Sequence, residues 1–253
     1  MANRCYNDPM PPATSIFCIS GWGADETCWR GAVAALKDVA LVRHMPWWQC
    51  LAECADFLRA AIAAEPRPVV AVGWSLGAIV ALEAAIGAPG NLLGLVLVAG
   101  TAAMSDTQGL WGVEPGRLRA MSLALRSRRR TVLEEFARLA AARGLPEADE
   151  LSTVEQLLAM AARIDGAHLA AGLRYLAATD LRAEIGRVGV PAFVLHGDRD
   201  RVIPPTAGRM LAQSIPAARL IPIPGAGHAV PLTHPDAVAR AVTEMIDAVA
   251  TAR

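Results

Sequence analysis

Apolar residues in this chain follow two rhythms. Short runs rich in β-branched residues stop at glycine or proline, as at Ser15 to Ser20 (SIFCIS), Val69 to Val72 (VVAV), Leu93 to Ala99 (LGLVLVA), Ala192 to His196 (AFVLH) and Leu220 to Ile223, with a weaker run over Val39 to His44. Runs of this length bounded by turn residues predict buried strands. Between them lie alanine- and leucine-rich stretches with helical spacing, Leu51 to Ala64, Leu76 to Ile86 and Ala237 to Ala250. Strand and helix in alternation predict an α/β domain: a mostly parallel sheet with helices on both faces, because each parallel pair needs a crossover that covers the sheet.

The alternation stops between Thr101 and Asp180. Here Leu118, Met121, Leu125, Val132, Leu133, Phe136, Leu139 and Ala140 recur at helical intervals and no strand pattern is visible. The segment reads as an all-helical insertion whose apolar stripe needs a surface to pack on. The predicted organisation is one α/β core made of residues 1–100 and 181–253, with residues 101–180 as a helical lid over the C-terminal edge of the sheet.

Composition narrows the partners. Of the 253 residues 54% are hydrophobic and 19% charged, enough to bury a large core and far from the composition of disorder. Lys plus Arg (24) balances Asp plus Glu (24), so neither a nucleic-acid nor an anionic-membrane partner is expected. The five cysteines form no CxxC and read as free thiols of a reducing, cytoplasmic compartment. Met1 to Thr14 carries Pro9, Pro11 and Pro12 and no apolar h-region, which argues against a signal peptide. The uncharged stretch Ala84 to Ser105 is broken by Gly87, Pro89, Gly90, Asn91 and Gly94, which argues against a membrane span. Cys50 and Cys54 lack a second Cys or His pair and no G-x-G-x-x-G or G-K-[ST] is present, so no metal and no cofactor are expected.

Against this background Gly73-Trp74-Ser75-Leu76-Gly77 stands out, because it follows one predicted strand and precedes a predicted helix. A serine on such a turn has an exposed Oγ, and the flanking glycines lack the Cβ atoms that would obstruct the turn. Serine is a weak nucleophile and needs a base, and the base needs an orienting acid. His228 sits in Gly225-Ala226-Gly227-His228 after the last strand run, and Asp200 sits in His196-Gly197-Asp198-Arg199-Asp200 after the preceding one. Asp198 competes for the role of acid, but directly after the strand-end glycine it is placed as a turn former, so Asp200 is preferred. Gly21-Trp22-Gly23 occupies the loop after the first strand, where the Trp22 backbone N–H can pair with that of Leu76 as an oxyanion hole.

With these elements in place, the chain resembles the α/β-hydrolase superfamily throughout, and within it the pimeloyl-acyl-carrier-protein methyl ester esterases of biotin synthesis. The resemblance rests on Gly21 to Trp29 (GWGADETCW), on the Gly73 to Gly77 elbow, on Gly172-Leu173-Arg174-Tyr175-Leu176 leading to Thr179-Asp180-Leu181-Arg182, and on His228-Ala229-Val230-Pro231 ending in His234-Pro235. It departs from the family pattern at Ser20-Gly21, where relatives have His-Gly, and at Met45-Pro46-Trp47-Trp48-Gln49, where they have Gly-x-Gly-x-Ser. The resemblance implies an α/β-hydrolase fold and hydrolysis of the methyl ester of a pimeloyl chain held on acyl carrier protein. Ser75, Asp200 and His228 take the triad positions, and Trp22 and Leu76 those of the oxyanion hole. A carboxylesterase acting on small free esters, or a silent binding protein on the same fold, are the rival readings. Eight arginines between Arg117 and Arg143 face only Glu134 and Glu135. Since acyl carrier protein is acidic, Arg126, Arg128, Arg129 and Arg130 are the candidate docking patch.

Overall fold

The computed structural model describes residues 13–47, 53–87, 90–141 and 146–251. Cys5, the N-terminal prolines, Trp48, Gln49, Cys50 and Arg143 lie outside the described residues. Strand β1 (Ser15–Ile19) leads through a 3-10 turn at Glu26–Trp29 into α1 (Arg30–Leu36) and β2 (Leu41–Met45). There follow α2 (Cys54–Ala64), β3 (Val69–Trp74), α3 (Leu76–Ile86) and β4 (Leu92–Val98). Four helices come next, α4 (Pro115–Ser127), α5 (Arg129–Ala140), α6 (Glu147–Arg163) and α7 (Gly166–Ala178). The chain closes with β5 (Ala192–Gly197), α8 (Pro205–Ser214), β6 (Ala218–Ile223), α9 (Val230–Thr233) and α10 (Pro235–Thr251).

The sheet order is β2-β1-β3-β4-β5-β6, and every pairing is parallel. The sequence pattern follows from position in this order. Strands β1, β3 and β5 are buried along their length and carry mostly apolar runs, with Ser15 and His196 the polar residues at the ends of β1 and β5. The edge strands are half wet: β2 leaves Leu41 37% exposed, and β6 tolerates Pro222, which has no N–H to give a further neighbour. This is why the run over 39–44 is the weakest in the sequence.

Chain direction also fixes which face each helix covers. The step from β1 to β2 runs one way across the sheet, whereas β2 to β3, β3 to β4 and β5 to β6 run the other way. Right-handed crossovers therefore put α1 on one face and α2, α3 and α8 on the opposite one. Helix α10 packs on α1 and across β3 and β4, while α3 lies against β1, β3 and β4. The reversal falls between the neighbours β1 and β3, so the loops leaving their C-terminal ends diverge and open a crevice.

Helices α4 to α7 lie between β4 and β5, in the stretch where the sequence loses its strand rhythm. Helix starts later than an all-helical insertion from residue 101 would have it, at Pro115, where a missing N–H costs nothing. The residues before it are held instead by Asp106, whose buried carboxylate accepts from the backbone N–H groups of Leu110 (2.8 Å) and Trp111 (3.0 Å). Arg182 joins the two ends of the insertion, since its guanidinium reaches Asp106 (3.3 Å) and Asp180 (2.8 Å). Cys18 and Cys28 are free thiols, Cys54 is buried as they are, and burial pushes the Cys18 thiol up to about 12. No helix among the described residues is long and apolar enough to cross a membrane.

Candidate active site

Ser75 sits where β3 turns into α3, with φ 57 and ψ −115, a region that L side chains rarely occupy. Such a conformation costs about 1–3 kcal/mol and persists only where the surroundings enforce it. Here they do. A Cβ at Gly73 would lie 2.3 Å from the Gly77 carbonyl oxygen, and one at Gly77 would lie 2.1 Å from that of Ile19 in β1. The two glycines let α3 start hard against the sheet, and the Ser75 N–H is tied to Val98 O of β4 at 2.9 Å.

The loop carrying His228 reaches the same point because Gly197, at the end of β5, has no side chain; a Cβ there would meet Ala226 O at 2.3 Å. The Trp74 indole N–H then donates to the His228 carbonyl (2.8 Å), and Ala229 N–H to Ala140 O of α5 (3.0 Å). Asp200 is fixed by its own turn, Oδ1 accepting from Val202 N–H (2.8 Å) and Ile203 N–H (2.9 Å). The result is one line of contacts: Ser75 Oγ to His228 Nε2 at 2.8 Å, and His228 Nδ1 to Asp200 Oδ2 at 2.7 Å. With Nδ1–H donating to the carboxylate, Nε2 offers its lone pair to the serine hydroxyl. All three residues are buried. Burial alone would raise the Asp200 carboxyl, but the facing His228, and His196 beside it, outweigh that and hold it well below the usual carboxylate range.

The structure also separates the two candidate acids. Asp198 Oδ1 accepts the Gly225 N–H (2.8 Å) at the surface, as a turn former does, and no hydrogen bond among the described residues joins it to His228.

Trp22 and Leu76 border the crevice between β1 and β3. Leu76 is the first residue of α3, where backbone N–H groups have no partner within the helix, and its N–H forms no hydrogen bond with any described residue. The same is true of the Trp22 backbone N–H. The Trp22 ring is held from above: its indole donates to Leu169 O of α7 (2.8 Å) and it stacks edge-on against Phe136 of α5 at 5.0 Å. Trp47, in the loop that departs from the family pattern, donates its indole N–H to Gly21 O (3.0 Å) and props the same turn from the side. A Cβ on Gly172 of α7 would strike both tryptophan rings at 2.8 Å, which accounts for the glycine that opens the Gly172 to Leu176 segment.

Ser75 opens into a cavity of about 400 Å³ between the sheet and α4, α5 and α7. Its walls are apolar, with Met104, Leu118, Met121, Val132, Phe136, Leu139, Leu173 and Leu176, while Arg117, Arg128, Arg201 and Glu135 supply the charge. The four arginines of the candidate patch do not act alike. Arg129 is spent inside the insertion, its guanidinium donating to Ala161 O (3.1 Å) and Ile164 O (2.6 Å) at the end of α6. Arg130 pairs with Glu134 one turn along α5 (2.8 Å). Arg126 and Arg128 remain exposed, and Arg128 also lines the cavity. No group of three or more His, Cys, Asp and Glu converges as a metal site among the described residues.

Sequence reasoning did not single out Trp74, Trp47, Phe136 or His196. Trp74 occupies the free position of G-x-S-x-G, where the motif carries no information, Trp47 and Phe136 reach the site from distant segments, and His196 stands only four residues before Asp200 but shows no role until the turn is folded.

Comparison with known proteins identifies the family. A model of the alpha/beta hydrolase family matches residues 16–241. The chain is 30% identical to the pimeloyl-[acyl-carrier protein] methyl ester esterase of Nitrosomonas europaea, over 87% of this chain and 91% of that one. It is 34% identical to the protein of the same name from Methylococcus capsulatus, over 91% and 94%. Among solved structures, a hydrolase from Oleispira antarctica superposes with a TM-score of 0.80 at 17% identity, covering 92% of this chain and 91% of that one. An esterase from Exiguobacterium antarcticum does so with 0.80 at 16%, covering 94% and 93%. At these identities the structural matches speak for the fold alone.

Proposed function

The chain belongs to the alpha/beta hydrolase family, and on that premise we propose that it is a serine esterase hydrolysing the methyl ester of pimeloyl-acyl carrier protein in biotin synthesis. The observation that carries the chemistry is the Ser75–His228–Asp200 line at the floor of an apolar cavity. The substrate comes from the shared name of the relatives above.

His228 Nε2 takes the hydroxyl proton as Ser75 Oγ attacks the ester carbonyl carbon. The Trp22 and Leu76 N–H groups hold the oxyanion, each donor of this kind being worth about 10²–10³ in rate. The tetrahedral intermediate collapses, and the departing methoxide takes the proton from His228 and leaves as methanol. Water then gives a proton to His228 while its oxygen attacks the acyl-enzyme, which releases the free carboxylate and restores Ser75. Asp200 orients His228 and stabilises the imidazolium that forms in each half.

The thioester escapes because of where the chain must lie. The apolar cavity takes the acyl chain with its methyl ester end at Ser75, and the carrier protein stays outside, against Arg126 and Arg128. The thioester is thereby kept a pimeloyl length from the nucleophile. Arg129 and Arg130, engaged within the insertion, contribute less to docking than these two.

The test compares kcat/KM for a methyl pimeloyl conjugate of acyl carrier protein with that for p-nitrophenyl acetate, in the wild-type protein and in the Arg126→Glu/Arg128→Glu double variant. The proposal expects a preference for the conjugate, with KM for it raised in the variant and the small ester unaffected. A preference for the small ester would make the protein a general carboxylesterase, and turnover of neither would make it a silent scaffold.

A further inference from the structure

His196, the penultimate residue of β5, is 3% exposed and has no place in the mechanism above. Its Nε2 lies 3.1 Å from Ile203 O and 3.4 Å from Asp200 Oδ2. Both neighbours are acceptors, so Nε2 must carry a proton. Its Nδ1 is buried without a hydrogen-bond partner, packed where a Cβ on Gly208 of α8 would approach to 2.7 Å. The ring therefore points its Nε2–H donor at the 200–203 turn.

We propose that His196 is a positioning residue of the triad, its Nε2–H tethering Ile203 O and Asp200 Oδ2 so that the carboxylate keeps its aim at His228. The four donors around Asp200 divide the work. Val202 and Ile203 N–H groups hold Oδ1 from within the turn, His228 occupies one side of Oδ2, and His196 anchors both the turn's carbonyl and the other side of Oδ2 to a central strand. Without His196 the turn is closed on itself but loses this link to β5. The carboxylate then swings with the turn, and the 2.7 Å contact to His228 lengthens for part of the time. Substrate does not touch His196, so the effect falls on kcat.

This inference rests on the triad reading, and the experiment separates the two. Three variants are compared with wild type: His196→Gln, whose amide nitrogen can reach the Nε2 position; His196→Asn, whose amide nitrogen reaches only the Nδ1 position; and His196→Leu. Steady-state kinetics with p-nitrophenyl acetate are read beside the low-field proton resonance of His228 Nδ1–H. His196→Asn and His196→Leu should lose about tenfold in kcat with KM unchanged, and their low-field resonance should move upfield or broaden. His196→Gln should restore most of kcat and the resonance. Equal losses in all three variants would show that ring shape rather than the donor matters, and wild-type behaviour in all three would show that no tether exists; either overturns the proposal. A wild-type protein without turnover would defeat the triad reading instead, while the resonance would still report on His196. Should His196→Leu fail to fold, the Gln and Asn pair decides the matter.

Discussion

Asp200→Asn exchanges one atom and should silence the enzyme without unfolding it. The native carboxylate uses both oxygens, Oδ1 for the N–H groups of Val202 and Ile203 and Oδ2 for His228 Nδ1, with His196 Nε2 farther off at 3.4 Å. Asparagine has only one oxygen. If its NH2 turned toward the backbone, two N–H groups would lose their acceptor, at about 1–3 kcal/mol each. The amide therefore keeps its oxygen on the turn and presents NH2 to His228, which resolves the mismatch by changing tautomer: Nδ1 accepts, and Nε2 now carries a proton facing Ser75 Oγ. An imidazole in that form cannot receive the serine proton. A triad in the wrong tautomer loses about 10⁴ in kcat, or about 5.5 kcal/mol of barrier. Asp198→Asn keeps the oxygen that accepts from Gly225 N–H and should stay within about twofold of wild type. The assay is kcat on p-nitrophenyl acetate, with the rate of fluorophosphonate labelling and circular dichroism to confirm folding. Equal losses in the two variants, or a greater loss at Asp198, would refute the reasoning.

Two further outcomes follow from strain and from proton linkage. Ser75→Gly removes both the nucleophile and the side chain held at φ 57, so fluorophosphonate labelling should vanish while thermal or urea unfolding shows a gain of about 1 kcal/mol; a destabilised variant would deny that the elbow stores strain. Asp106 is held below the ordinary carboxylate range first by the N–H of Trp111, with Leu110, Gln108 and Arg182 adding to it against the opposing effect of burial. Its folded value lies below its unfolded one, so its contribution to stability is full above the unfolded value, about 3.9, and is lost as pH falls below that. Urea unfolding from pH 6 to pH 3 should show a shallower loss in Asp106→Asn than in wild type, and parallel curves would contradict the assignment.

Much of this protein is written locally. The runs at Val69 to Val72 and Ala192 to His196 became central strands because a strand covered on both faces needs apolar residues at every position. Gly73 and Gly77 marked the elbow because the turn leaves no room for a Cβ, and Asp198 could be told from Asp200 by its place in a turn. Local pattern was less informative where a residue's duty depends on what arrives from elsewhere. The edge strand over 41–45 was faint because solvent relaxes its alternation, and the residues ahead of Pro115 looked helical although the Asp106 carboxylate holds them as turns.

That Ser75, Asp200 and His228 come together was legible because each follows a strand, and the order of strands in an α/β sheet is under strong topological rule. Its supports were not. Trp74, Trp47 and Phe136 are ordinary apolar residues in sequence, and only the folded chain brings their indole N–H groups and rings against Gly21, Trp22 and His228. His196 gave no sign beyond closing a strand, since its importance lies in a 3.1 Å contact to a carbonyl that exists only once the 200–203 turn has formed. Charge counting made four arginines equal, whereas packing engaged Arg129 with the end of α6 and left Arg126 and Arg128 on the surface. The sequence by itself determined most of the elements and their order and singled out Ser75, Asp200 and His228, because these depend on local sterics and periodicity. Which side chains hold those groups in line was decided by the tertiary structure alone, because a hydrogen bond depends on distances between atoms that the chain brings together only by folding.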